Sequence, residues 1–501
     1  MSTAHPASPT DQVTPIKSSV IYDEMGTGDH VHPDYAPVAS WITDHSGNEL
    51  ERRNTSAQHL FHQRGITFAV HGQDAERLIP FDIIPRIISS DDWRMVSTGC
   101  IQRVKALNMF LDDIYHKQEI LKAGIIPKAD VLNNKLYCKE MQGVDMPHAV
   151  HAHIAGVDLV RVGPSTWYVL EDNLRTPSGV SYMLENRSAH QRLNPELFRN
   201  QAIEPNDHYP DVLRTALRDC APNGIDNPII AVLTPGSANS AYFEHGFLAN
   251  AMGVLLVEGS DLFVEKKKVY ARTVVGNQRV HVIYRRVDDE FLDPAHFRPD
   301  SLIGVKGLFD AYRAGNVTIT NAVGNGVADD KATYLHVPAM IKFYLGEEPI
   351  LSNVPTYKCS NKKELAYVIE NLHELVVKEV HGSGGYGMLV GPASSAGECA
   401  AYKKRLLADP ANFIAQPTLA LSTCPTFIDQ GIAPRHVDLR PYVVSGKNVT
   451  LVPGALTRVA LKAGSLVVNS SQGGGTKDTW IVAEAAQAAQ NDAKIVTKDQ
   501  V

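Results

Sequence analysis

Residues 157–173 decide how this chain is read: Val157-Asp158-Leu159-Val160-Arg161-Val162, then Gly163-Pro164-Ser165-Thr166, then Trp167-Tyr168-Val169-Leu170-Glu171-Asp172-Asn173. Two short β-prone runs flank a cluster of turn formers, which reads as a β-hairpin. If all four residues 163–166 lie in the loop, Val162 faces Trp167 and Asp158 lies directly across from Glu171. Side-chain alternation then brings Asn173 to the same face, two positions further on. Carboxylates directly opposite each other repel. Two of them with an amide oxygen form an all-oxygen set of the kind Mg²⁺ prefers, with waters and phosphates completing its shell. A solvated polar face is the competing explanation, and a slip of one residue would separate the pair altogether.

Composition limits what could carry such a site. With 501 residues, 44% hydrophobic and 21% charged, the chain is expected to be globular and to comprise more than one folding unit. Its net charge of −7, without a lysine or arginine block, argues against a nucleic-acid partner. Lys266-Lys267-Lys268 reads as a solvated turn. Six scattered cysteines without CxxC spacing suggest free thiols in a reducing compartment. No run of about eighteen apolar residues occurs and the first twenty residues have no apolar core, so the expectation is a cytoplasmic protein without a membrane partner.

Along the chain, residues 1–35 read as a disordered leader and 483–501 as a disordered tail. Residues 36–225 combine a mainly helical scaffold with the hairpin. Residues 226–325 open with the run strand Ile229–Leu233, turn Thr234-Pro235-Gly236, helix Ser240–Met252 and strand Val254–Val257, the order of a parallel βαβ unit. A ligand could sit at the carboxyl ends of its strands. One glycine in the turn excludes a dinucleotide fingerprint. Asn239, Glu244 and His245 could meet a substrate or be structural. Arg285-Arg286, followed by Asp288, Asp289 and Glu290, is explained by an ion-paired surface.

Residues 376–390 give the second signal: Val376-Val377-Lys378-Glu379-Val380-His381, then Gly382-Ser383-Gly384-Gly385-Tyr386-Gly387, then Met388-Leu389-Val390. This reads as strand, glycine-rich lid and strand. It lacks the Gly-Lys-Ser/Thr ending of a P-loop and opens onto no helix. Glycines let backbone N–H groups approach phosphate oxygens, and Lys378 could reach a phosphate. A plain glycine hairpin with a solvated lysine is the alternative.

Together these residues resemble the ATP-grasp enzymes, and more closely the circularly permuted ATP-grasp proteins related to glutathionylspermidine synthase, over about residues 60–482. Asp330-Lys331 before an apolar helix is similar to the first nucleotide-binding lysine of that family. Pro355-Thr356, Lys378, the lid, and Phe413-Ile414-Ala415-Gln416-Pro417 follow in the family's order, with Gln416 where the base is commonly read. Asp438-Leu439-Arg440, Arg458 and the run from Asn469 to Gly475 resemble the large lobe. Metal-ligand elements that would normally come next occur instead at Asp158 and Glu171-Asp172-Asn173, the order a circular permutation produces. Asn173-Leu174-Arg175-Thr176-Pro177 matches the Asn-x-x-Thr-Pro of glutathionylspermidine synthase, although no amidase segment or nucleophilic cysteine accompanies it.

The resemblance implies an α/β (α+β) circularly permuted ATP-grasp fold. Residues 226–325 would be a pre-ATP-grasp-like αβ domain, 326–420 the nucleotide-binding small lobe and 421–482 the remainder of the large lobe. It implies ATP and Mg²⁺ as cofactors. Asp158, Glu171 and Asn173 would hold the metal; Lys331, Lys378, Gly384, Gly385, Tyr386, Gly387, Gln416 and Asn469 would bind nucleotide; Arg440 and Arg458 would act on the transferred group, unless they simply pair with carboxylates. The implied activity is a carboxylate–amine ligase working through an acylphosphate on a peptide or small amino compound. An ATP-binding assembly protein and a kinase remain alternatives. Family members are encoded beside an alpha-E protein and a transglutaminase-like protease, which would be its partners.

Overall fold

The computed structural model describes residues 21–27, 30–69, 76–199, 201–380, 382, 387–428, 431–468 and 473–484. Gly384, Gly385, Tyr386 and Asn469 lie outside them, as does most of the expected tail. Part of the expected leader is packed into the protein: Glu24 is buried and ion-paired with Arg86 at 2.6 Å, and Tyr35 is buried.

Alternating apolar residues build a large sheet from distant parts of the chain. Its main order is Ser352–Asn353, Thr166–Asn173, Ile154–Gly163, Gly431–Arg440, Leu456–Val459, Gly475–Ile481 and Phe81–Ile88. Strand Phe81–Ile88, buried along its whole length, pairs in parallel with Gly475–Ile481. Continuous burial of this kind suits an apolar strand covered on both faces. Helix Ser90–Tyr115 starts with Ser89 capping the Asp92 N–H at 3.2 Å and lays an apolar face against the sheet.

The expected βαβ unit is present. Ile230–Leu233 pairs in parallel with Leu255–Val257 and with Val282–Arg285, and Thr318–Thr320 adds a fourth parallel strand. Helix Tyr242–Met252 makes the crossover. Lys266 and Lys267, at φ 49° and 57°, form the tight turn between Glu265 and its partner Lys268. Arg285 and Arg286, expected on an ion-paired surface, are both buried instead. Arg285 ends its strand, donates to the carbonyls of Asn321 and Val287 at 2.8 Å each, and keeps an ion pair with Asp289 at 2.7 Å.

A smaller antiparallel sheet has the order Tyr357–Lys358, Phe413–Pro417, Leu375–Glu379 and Leu389–Val390. It has its own core, in which Val368 and Leu406 of two covering helices meet Val377 and Phe413. Leu389–Val390 returns antiparallel beside Leu375–Glu379, as the strand–lid–strand reading requires. All six cysteines are free thiols. Among the described residues no helix is long and apolar enough to cross a membrane.

Candidate nucleotide and phosphate site

The hairpin register places Asp158 opposite Glu171 and Gly156 opposite Asn173. The loop, however, is shorter than expected. Gly163 faces Thr166, so only Pro164 and Ser165 turn, and it is Arg161 that faces Trp167. Val162 is one extra residue on the first strand and Leu170 one extra on the second. These two bulges cancel, which restores the Asp158–Glu171 pairing. The second bulge also brings Leu170 and Glu171, neighbours in sequence, to line one cleft. Asp172 instead forms a buried ion pair with Arg103 at 2.7 Å.

That cleft, about 970 Å³, lies between the hairpin face of the large sheet and the smaller sheet. Val160, Leu419 and Leu421 form one apolar wall, and Val376, Met388 and Val390 the other. At its polar end are Asp158, Glu171, Lys331, Lys378, Asp438 and Arg458. Residues from far-separated segments thus share one cavity, and Asp158 and Glu171 are within electrostatic reach of Lys378.

Each polar group has a definite partner. The Lys378 ammonium donates to Gln416 Oε1 at 2.8 Å, and Gln416 Nε2 donates to Thr356 Oγ1 at 3.0 Å. Gln416, expected to read a base, therefore uses its amide to hold Lys378 and Thr356. Burial pulls Lys378 down to about 8; Glu171 and Asp158 resist this, and Lys331 and Arg458 add to it. Lys331 donates to the Gly382 carbonyl at 2.6 Å and lies 3.5 Å from Glu171, joining the root of the lid to the hairpin.

Asp158 is fully buried and engaged by both arginines, Arg440 through Nε and through Nη2 at 2.7 Å, and Arg458 through Nη2 at 2.6 Å. Burial alone would raise its carboxyl, but the guanidiniums hold it well below the ordinary carboxylate range. Asp438, directly across the ladder from Arg458, takes the rest of that guanidinium. Burial raises its carboxyl, and the charge of Asp158 adds to the effect. Asp438 carried no role in the sequence reading. The alternation in Asp438-Leu439-Arg440 was its available signal, since it places 438 and 440 on one face.

The cleft thus has an apolar part and a charged part. Lys331, Lys378 and Arg458 line the cleft with Asp158, Glu171, Glu379 and Asp438, and Arg440 joins them through Asp158. Asp158 and Asp438 are taken up by the two arginines and Glu379 by Arg405, which leaves the ammonium groups of Lys331 and Lys378, beside Glu171, for an incoming anion. Among the described residues no three His, Cys, Asp or Glu side chains are grouped to hold a metal. A Mg²⁺ that arrives with phosphates needs only one or two carboxylates. Glu171, with a quarter of its side chain exposed and no guanidinium on it, fits that requirement. Asn173 donates to the Gly156 carbonyl at 3.4 Å, leaving its amide oxygen outside that bond.

The sequence matches the circularly permuted ATP-grasp type 2 family over residues 85–460. An uncharacterized protein of Synechocystis sp. is 50% identical over 458 residues, covering 91% of this chain and 95% of that protein. A Frankia alni protein named provisionally as a glutamate–cysteine ligase is 42% identical and covered over 55% of its length, so the chain spans about half of it. Among solved structures, a glutathione synthetase-like effector of Globodera pallida in its apo form has a TM-score of 0.55 at 11% identity, covering 87% of this chain and 98% of that one.

Proposed function

Because the chain belongs to the circularly permuted ATP-grasp type 2 family, we propose that it is an ATP- and Mg²⁺-dependent carboxylate–amine ligase whose substrates are a peptide or small amino compound. The observation that carries this reading is the single cleft shared by Glu171, Lys331, Lys378 and Arg458. The Frankia relative's name supports a ligase.

In this reading the apolar walls receive the base of ATP, and Lys331 and Lys378 neutralise its phosphates. Glu171 and Asn173 would hold Mg²⁺, which when bound would supply positive charge to offset that of the phosphates. The substrate carboxylate attacks the γ-phosphoryl group, ADP leaves, and the amine then displaces phosphate from the acylphosphate to give an amide. Arg440 and Arg458 are both paired with carboxylates, Asp158 and Asp438; as planar, permanently charged groups they would steady the negative charge on the transferred group from within those pairs.

The test is a screen of paired carboxylates and amines, following ADP and phosphate and identifying the amide by mass. Release of ADP and phosphate with a new amide is expected for at least one pair. Nucleotide binding without ADP release for any pair would favour the assembly protein, and a phosphorylated product without amide would favour the kinase.

A further inference from the structure

The parallel sheet and the cleft meet at one strap of chain, residues 176–181, between the hairpin and helix Val180–Leu193. From the parallel unit, Glu244 Oε2 accepts hydrogen bonds from the Gly179 N–H at 2.7 Å and from the Ser181 N–H and hydroxyl at 3.0 Å each. Arg286 donates to the Pro177 carbonyl at 2.8 Å and the Ser178 hydroxyl at 2.5 Å, and pairs with Glu244 at 3.3 Å. Both side chains are buried.

On its other side the strap rests on Arg440 and Tyr442, and Arg440 in turn holds Asp158 of the cleft. The Ser178 carbonyl accepts from the Tyr442 hydroxyl at 2.9 Å and from Arg440 at 3.4 Å. Gly156 leaves the gap in which Pro177 and the stem of Arg440 meet, since a Cβ there would lie 3.3 Å from each. The position of Arg440, and with it the Arg440–Asp158 pair, therefore depends on where the strap lies.

Apolar residues of similar volume commonly stabilise a fold as well as a buried ion pair does. What Glu244 and Arg286 supply is a fixed position for the backbone from Pro177 to Ser181. They also stand at the carboxyl ends of Ile230–Leu233 and Val282–Arg285, the end at which open α/β sheets receive ligands. The geometry points to Glu244 and Arg286 as positioning residues, which act through the strap on Arg440 and couple the ends of the parallel strands to the phosphate end of the cleft. Only the turnover arm of the test rests on the ligase reading.

Glu244→Gln, Arg286→Met and Arg286→Lys are compared with wild type in the full chain. Nucleotide affinity, measured with ATP by calorimetry, should stay within about twofold, because Lys331, Lys378 and Gln416 are untouched. ADP-forming kcat should fall by roughly 10- to 100-fold with KM for ATP unchanged, the size of effect that misplacing a group from a distance produces, and Arg286→Lys should recover part of it. Hydrogen exchange should quicken at both 176–181 and 438–442 and stay as in wild type at 413–417. Equal losses of affinity and kcat, or unchanged kcat, would overturn the inference. So would quickened exchange confined to the strap, whether or not the wild type turns ATP over. If Glu244→Gln fails to fold, Arg286→Lys carries the same readouts. A wild type that releases no ADP with any acceptor, yet shows the paired change in exchange, would end the ligase reading and support the coupling.

Discussion

Removing the carboxylate of Asp158 would strand the Arg440 guanidinium and leave Arg458 to Asp438 alone, since both arginines use it. Asp158→Asn should therefore lose about 3–5 kcal/mol of stability in urea unfolding, the range for breaking a buried ion pair from one side. Its lost activity would then say little about a metal. Glu171→Gln separates the two effects: its partly exposed carboxylate touches only Lys331, so stability should hold to within about 0.5 kcal/mol while Mg²⁺-dependent turnover is abolished. Wild-type turnover in that variant would remove Glu171 from the metal. Lys378 gives a further signature. Its ammonium is charged below about 8 and neutral above, so nucleotide affinity at fixed ionic strength should fall as pH rises through that value, and Lys378→Arg should flatten the profile. For folding the sign reverses. The unfolded chain keeps this proton up to the ordinary lysine value of 10.5, so this residue's contribution to stability rises with pH between about 8 and 10.5.

At the scale of elements, the hairpin shows what can and cannot be read from sequence. β-propensity and the turn residues locate its strands, and the Asp158–Glu171 pair follows from assuming a four-residue loop. That pair is found because two bulges, at Val162 and Leu170, cancel each other. Neither bulge carries a glycine or proline to announce it. The paired strands on either side of the glycines were legible for a simpler reason, a run of glycines between two apolar segments. The strap was not legible, because Glu244 and Arg286 hold it through backbone atoms and two serines far away in sequence. Gly179 is the exception a sequence reader could have questioned: its φ is +117°, and a Cβ would lie 2.2 Å from the Tyr442 hydroxyl. Gly179→Ala should cost ~1–3 kcal/mol in denaturant unfolding, as overpacked sites do. A neutral result would mean the strap has room to move and is not tightly clamped.

At the scale of the whole molecule, the order of segments along the chain and their order in space disagree, and the site exists because of that disagreement. Strand Ile154–Gly163 lies between Thr166–Asn173 and Gly431–Arg440, so residues from before the parallel unit complete a sheet begun after it. The smaller sheet has its own apolar core and needs none of this. A fragment of residues 326–484 should therefore form the smaller sheet but leave the facing wall of the cleft unbuilt, because without the hairpin Gly431–Arg440 loses a neighbour and presents an open edge. Alone, it should show no measurable affinity for ATP despite holding Lys331, Lys378 and Gln416. Adding residues 21–325, expressed separately, should restore affinity if the two parts assemble the sheet between them. Amide exchange in 431–440 would report whether that strand has regained its neighbour. ATP binding by the fragment alone, at wild-type affinity, would show that the lysines and the smaller sheet suffice, and the hairpin would then belong to the chemistry and not to nucleotide binding.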